Sequence, residues 1–227
     1  MQIAICGADR ETLDITAGDQ TDDYVDRSAA DLLVTVGEAP LIESATRGET
    51  RPILAVGLDS PVSPSRQQLA ALLEGGLERL PTVEIRPLVV TADGHESTAV
   101  FDTTLITSEP ARISEYGLSV AGRPHASFRA DGVVVATPLG SSGYGRAAGG
   151  PQLMAGTGVA VVPIAPFATI ADTWVVEPPL SVSVERDNSV TVYADSDRLT
   201  AGTAGLTVKI GWGQPISILD WRAADSP

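Results

Sequence analysis

The chain has 227 residues and a formal net charge of −14, from 15 Lys and Arg against 29 Asp and Glu. So negative a surface repels nucleic acid phosphates and excludes sequence-independent DNA or RNA binding. The sequence has no run of eighteen apolar residues, which excludes a membrane-spanning helix, and its one cysteine, Cys6, excludes an internal disulfide and suits a cytoplasmic protein. Met1 leads into QIAIC without a basic segment or a long apolar run, so no secretory signal is expected. Lys209 is the sole lysine. An acidic, lysine-poor composition reads as a halophilic protein, one whose self-repulsion is screened by a salt-loaded cytoplasm.

Taken in chain order, IAIC at 3–6, DLLVTVG at 31–37 and RPILAVGL at 51–58 are short apolar runs that predict buried strands. The connection 7–30 is acid-rich and weakly periodic, and predicts no strong helix. SRQQLAALLEGGLERL at 65–80 places Leu69, Leu72, Leu73, Leu77 and Leu80 at helical spacing behind a capping Ser65, with Gly75-Gly76 as a weak point. Strands alternating with helical connections indicate an α/β layer. From residue 83 the pattern becomes strand after strand, separated by Gly, Asn, Asp and Pro turns: VEIRPLVVT, STAVFDTTLI, GLSVAG, ASFRADGVVVAT, GVAVVPI, TWVVEPPLSVSV, SVTVYAD, LTVKIGW and PISILDW. The expected fold is an α/β N-terminal domain, residues 1–97, plus a β-rich C-terminal domain, residues 98–227, with the boundary around ADGHES.

One stretch stands out for chemistry. Residues 131–151 read DGVVVATPLGSSGYGRAAGGP, an apolar strand that runs into a loop dense in glycine. A nucleophile elbow needs G-x-S-x-G with a histidine and an acid. Gly140 and Ser142 fit that pattern, but Tyr144 stands where the last glycine belongs, and only His95 and His125 are on offer. A P-loop needs a lysine, and the region has none. A nucleotide platform fits better: glycines let backbone approach a ligand, amides face anionic groups, and a tyrosine offers a surface to a base. A tight glycine-rich turn without any ligand accounts for the residues equally well.

The stretch resembles the hallmark of the NAD kinase family, which reads DG, a hydrophobic strand, TPTGSTAY and then SAGGP. Here the matching residues are Asp131-Gly132, then Thr137-Pro138-Leu139-Gly140-Ser141-Ser142-Gly143-Tyr144, then Ala147-Ala148-Gly149-Gly150-Pro151, without a gap. PILAVGL at 52–58, VEIRPLV at 83–89 with Arg86, VVPIAPF at 161–167 and VTVYADSD at 190–197 extend the likeness over roughly residues 31–220. The resemblance implies the same two-domain fold, NAD(H) bound between the domains, ATP with Mg²⁺ if the protein is active, no resident metal site, and a homo-oligomer. It implies that Asp131 lies near the nicotinamide amide and that Ser142, Gly143 and Tyr144 hold the adenine and a ribose, with Thr137 and Ser141 beside them. Gly140, Gly149 and Gly150 are implied as structural loop glycines.

The departures from the family pattern fall elsewhere. Its GGDGT motif, whose aspartate is the base for the ribose 2′-hydroxyl, corresponds here to Val36-Gly37-Glu38-Ala39-Pro40. Glu38 keeps a carboxylate on a longer arm, Ala39 adds a Cβ, and Pro40 has no N–H. The family's Asn-Glu pair for ribose hydroxyls corresponds to Asp102-Thr103, which makes Asp102 a second candidate base, and Phe167 replaces a histidine. The N-terminal domain is also shorter than the family's. The resemblance is thus to a divergent, haloarchaeal-type member with a degenerate GGDGT motif. Two functions follow from it: a kinase that converts NAD(H) to its 2′-phosphate, and a weakened or inactive NAD(H)-binding sensor or regulatory subunit.

Overall fold

The computed structural model describes residues 1–7, 25–108, 113–169, 171–186 and 189–225. Most of the acid-rich connection, residues 8–24, lies outside the described residues, and with it the expectation of a poor helix there. Among the described residues the strands begin with β1 (Ile3–Cys6), β2 (Leu32–Val36), β3 (Ile53–Val56), β4 (Thr82–Ile85), β5 (Leu88–Ala92) and β6 (His95–Ala99). They continue with β7 (Asp102–Thr107), β8 (Ser114–Val120), β9 (Arg123–Ala130), β10 (Gly132–Ala136), β11 (Val159–Ile164) and β12 (Trp174–Val176). The last are β13 (Leu180–Val184), β14 (Val190–Ala194), β15 (Asp197–Gly202), β16 (Thr207–Trp212) and β17 (Ile216–Leu219). The helices are α1 (Glu38–Thr46), α2 (Arg66–Gly75) and the single turn α3 (Tyr144–Ala147).

The chain divides into two compact units, residues 1–85 with 215–227, and residues 86–214. This differs from the boundary expected at 97/98. Pro87 interrupts VEIRPLVVT, so β4 stays with the first unit while β5 enters the second and pairs there with β6 and β16. The C-terminal strand also leaves the β-rich unit: β17 pairs parallel to β3 and antiparallel to β4.

In the first unit a five-stranded sheet runs in the order β1-β2-β3-β17-β4. The pairs β1–β2, β2–β3 and β3–β17 are parallel. Every residue of β2 and β3 is buried, as expected of strands covered on both faces, which is why both read as unbroken apolar runs. Leu69 of α2 and Leu77 beyond it pack on Leu32, Val34, Val36, Leu54 and Val56. The backbone N–H of Ser65 donates to Gln68 Oε1 at 2.8 Å, and the helix stops at Gly75 because Gly76 takes a φ of +84°. Leu77–Arg79 form a separate 3-10 turn, so the helix expected over 65–80 is broken at its glycine pair.

Helix α1 was not legible. It buries only Leu41 and Ser44, too few positions to show a periodicity. Pro40 sits within its first turn, where a missing N–H breaks no intrahelical bond.

The second unit holds two six-stranded sheets, in the orders β12-β11-β10-β7-β14-β15 and β6-β5-β16-β13-β8-β9. Their facing sides form one core. Leu105, Val133, Val135, Val161, Val190 and Val192 from the first sheet meet Leu88, Val90, Tyr116, Leu118, Val182, Val208 and Ile210 from the second. Adjacent strands within each sheet are antiparallel, and each alternates core and outer residues. The outer face of β10 and β11 has its own apolar cover, in which Leu153 and Ala148 pack on Val134, Ala136, Ala160 and Val162.

A charged knot closes the first unit. Arg51 donates to both carboxylate oxygens of Glu49, at 2.7 and 2.6 Å, and to the carbonyls of Arg27 and Ala30. These bonds hold the Glu49 carboxyl down at about 2, against an ordinary 4.5. A lowered folded-state value stabilises above the unfolded value and loses that contribution as pH falls through the folded one. Glu49→Gln is therefore expected to cost about 1–3 kcal/mol at neutral pH. The difference from wild type should shrink between pH 4.5 and about 2. Urea denaturation of both proteins across that range checks this, and a constant difference would contradict it.

Candidate functional site

The site is built at the end of β10. Its five residues are fully buried, and Gly132 is required where a Cβ would come within 2.5 Å of the Leu105 carbonyl oxygen of β7. At the strand's end Thr137 is also buried. Its N–H donates to the Phe101 carbonyl at 2.8 Å, its Oγ1 donates to the Val100 carbonyl at 2.7 Å, and the same Oγ1 accepts the Gly140 N–H at 3.2 Å. Thr137 thus fastens the loop to residues 100–101. Gly140 sits directly on that segment: a Cβ there would lie 2.1 Å from the Phe101 carbonyl oxygen.

Gly140–Ser142 form a 3-10 turn, followed by α3. Ser141 is buried; its hydroxyl donates to the Pro138 carbonyl at 2.8 Å and accepts the Leu153 N–H at 2.9 Å. Gly145 lies against the Ala136 side chain, where a Cβ would approach to 2.8 Å. After α3, Gly149 has a φ of +95° and bonds back to Arg146, while Gly150 bonds back to Gly145. This is a Schellman termination, which satisfies the helix's last carbonyls and needs glycine at the left-handed position.

Once these structural roles are assigned, the rim that remains is Ser142, Gly143 and Tyr144. Ser142 is half-buried and its Oγ accepts Gln152 Nε2 at 3.0 Å. A Cβ on Gly143 would meet nothing closer than 3.6 Å, and the Tyr144 side chain is 44% exposed. The loop therefore keeps its buried hydroxyls, Thr137 and Ser141, for itself, and turns a small-residue rim with one aromatic ring outward.

Asp102 joins this rim. It opens β7 and pairs in register with Ala136 of β10, so both side chains lie on the loop's side of the sheet, together with Thr104 and Tyr193. Its carboxylate Oδ1 accepts the Thr104 hydroxyl at 3.1 Å. Thr103 does not join it. Strand alternation turns Thr103 to the inter-sheet side, fully buried, with its hydroxyl donated to the Tyr193 carbonyl at 2.6 Å. Of the two positions matched to the family's ribose-binding pair, only Asp102 therefore lies on the loop's side of the sheet.

Other expected residues lie apart. Asp131 precedes β10 while the loop follows it, so six residues of extended chain, about 20 Å, separate it from Thr137. Asp131 is half-buried at the β9–β10 corner; its N–H donates to the Ile164 carbonyl at 3.0 Å, and its charge adds to burial in pushing the nearby Tyr116 phenol up. Phe167 is 65% exposed, with the Arg129 guanidinium 5.3 Å from its ring centre.

Glu38 belongs to the first unit, exposed in the first turn of α1. Beside it the Pro40 ring packs on Gly7, where a Cβ would come within 2.4 Å of Pro40 Cγ. Among the described residues no three His, Cys, Asp or Glu side chains gather as a metal site.

Asp195 lies in VTVYADSD, a stretch the sequence likeness covers without assigning this acid a role. This residue occupies the two-residue turn between β14 and β15 at a φ of +52°. Its carboxylate accepts the N–H groups of Val100 at 2.8 Å, Phe101 at 2.7 Å and Asp102 at 3.1 Å. The signal available was the acid in the ADSD turn, but no local pattern tells which distant amides such an acid will bind.

Fold and site define an α/β unit joined to an antiparallel sandwich that carries a glycine-rich loop at the end of a central strand. Residues 102–214 match the model of the ATP-NAD kinase C-terminal domain. The chain is 34% identical over 154 residues to an NAD kinase of Oleidesulfovibrio alaskensis, covering 62% of this chain and 52% of the relative. It is 31% identical over 169 residues to one of Methanopyrus kandleri, covering 70% and 60%. Among solved structures, an NAD kinase from Archaeoglobus fulgidus in complex with ATP superposes with a TM-score of 0.76 at 19% identity, covering 99% of this chain and 95% of that one. Yeast NADH kinase complexed with NADH superposes with a TM-score of 0.70 at 19% identity, covering 86% and 64%. The chain belongs to the NAD kinase family, and its matched part spans about half of the O. alaskensis relative's length.

The loop geometry makes one direct forecast. Gly140→Ala forces a Cβ into the Phe101 backbone, an overpacking expected to cost about 3 kcal/mol and to displace the loop. Gly211→Ala, at a position open to beyond 4 Å, is the control and should leave the melting temperature nearly unchanged. Equal melting temperatures for the two variants would contradict the seating of the loop.

Proposed function

We propose that the protein binds NAD(H) on the rim Ser142-Gly143-Tyr144, with Asp102 taking a ribose hydroxyl, and that it phosphorylates the 2′-hydroxyl of the adenosine ribose to give the NADP form. The observation that carries this reading is the shared sheet face: the Asp102 carboxylate of β7 lies on the same side of the sheet as a loop with an outward aromatic rim, whose buried hydroxyls are already used. The Archaeoglobus and yeast neighbours, crystallised with ATP and with NADH, support the choice of ligands. The reaction joins the ribose oxygen to the γ-phosphorus of ATP and breaks the bond to the bridging oxygen, with ADP leaving. A carboxylate takes the hydroxyl proton, and Glu38 is the residue assigned to that step, with Asp102 next in order. Mg²⁺ comes with the ATP as part of the substrate. Transfer is slow, because phosphoryl transfer depends on positioning, and a 1 Å displacement costs about a hundredfold.

A second reading has its own support. Helix α1 begins at the family's phosphate cradle, and Pro40 removes one of the first-turn amides available to an anion. A protein so altered binds NAD(H) without transferring phosphate and acts as a sensor or regulatory subunit. Both readings are set in a homo-oligomer in a salt-loaded cytoplasm.

Assays in molar KCl with ATP, NAD and Mg²⁺ separate them. The first reading expects slow NADP formation that Glu38→Gln abolishes with NAD affinity intact. The second expects NAD binding and no NADP from the wild type. Both expect Tyr144→Ala to lose about 1–3 kcal/mol of NAD affinity in titration calorimetry. Unchanged affinity in that variant, or turnover that survives Glu38→Gln, would overturn the corresponding assignment.

A further inference from the structure

We propose that Asp195 is a positioning residue for the nucleotide site, acting through the backbone amides of residues 100–102. Its functional half rests on the NAD(H)-binding reading above; its structural half does not. Asp195 is about 90 residues from the segment it holds, and its carboxylate accepts three consecutive amides there, those of Val100, Phe101 and Asp102. Its own N–H returns a bond to the Asp102 carbonyl at 2.8 Å. The same segment is the seat of the loop. The Val100 and Phe101 carbonyls receive the Thr137 hydroxyl and N–H, and Gly140 abuts the Phe101 backbone.

One carboxylate thus fixes both parts of the rim. It sets the backbone from which the Asp102 side chain projects, and it holds the carbonyls on which the loop's first turn stands. Bonds from an ionised carboxylate to amides are stronger than neutral ones, so the negative charge matters as well as the shape. Asp195 follows β14 on one side of β7, and the loop follows β10 on the other.

The test uses the full chain in molar KCl. Asp195→Asn keeps the size, removes the charge and leaves one acceptor oxygen for three amides. Hydrogen exchange of the Val100, Phe101, Asp102 and Gly140 amides is expected to quicken about tenfold or more, as a local opening, while the Leu118 and Val182 amides of the other sheet stay unchanged. NAD affinity by calorimetry is expected to fall about tenfold or more, since small displacements of a positioned group are costly. Asp197→Asn, an exposed neighbour in the same hairpin, should change neither readout. Should Asp195→Asn not fold, Asp195→Glu keeps the charge on a longer arm and is expected to show the same pattern at smaller amplitude.

A uniform quickening across both sheets would make Asp195 a general stabiliser and overturn the proposal, as would unchanged exchange at Gly140. Quickened local exchange with unchanged NAD affinity would overturn its functional half. If the wild type binds no NAD, the proposed function falls, and the exchange pattern alone decides whether Asp195 seats the loop.

Discussion

The site depends on one carboxylate meeting a row of backbone amides. Residues 100–102 lead into the central strand β7, and their N–H groups need partners once the flanking sheet is in place. Asp195 supplies them from a tight turn on the adjacent strand β14, at a left-handed φ that aspartate tolerates better than most residues. With those amides satisfied, the Val100 and Phe101 carbonyls are presented to Thr137, and Gly140 abuts the Phe101 backbone. The glycine-rich loop is therefore not a flexible flap. It is a turn clamped at its base by Thr137, pinned in its middle by Ser141 and closed at its end by the Gly149-Gly150 Schellman turn.

This division of labour explains which family residues are retained. Positions whose side chain or missing Cβ supports the backbone, such as Thr137, Gly140, Ser141, Gly149 and Gly150, keep the family's residue type. Positions on the rim keep character but vary in identity, with Ser142 and Gly143 in place of threonine and alanine. The first unit departs further. Gly37-Glu38-Ala39-Pro40 still starts a helix, and Pro40 has found a structural use in packing on Gly7.

Much of the fold was legible because buried strands advertise themselves. The runs at 3–6, 31–37 and 51–58, the leucines of α2 and the alternation beyond residue 83 all gave elements close to where they lie. The boundary near 97 misled because the division after Ile85, next to Pro87, falls inside what reads as one strand. Nothing local marks β17 as a strand that returns to a sheet begun more than 150 residues earlier. At the site, the loop was readable as a motif, but its internal economy was not. Thr137 and Ser141, implied beside the nucleotide, and Thr103, matched to the family's ribose-binding pair, are buried with their hydroxyls bonded to backbone. The part Asp195 plays was not readable for the opposite reason, since the amides it accepts lie more than 90 residues away.

The central claim is that the clamped loop is a nucleotide platform, and a crystal structure of the chain grown with NAD in molar salt tests it most directly. The account predicts the adenine ring at Tyr144 and Ser142, with a ribose hydroxyl within hydrogen-bond reach of the Asp102 carboxylate. NAD bound away from residues 142–144, with Tyr144 still bare to solvent, would contradict it.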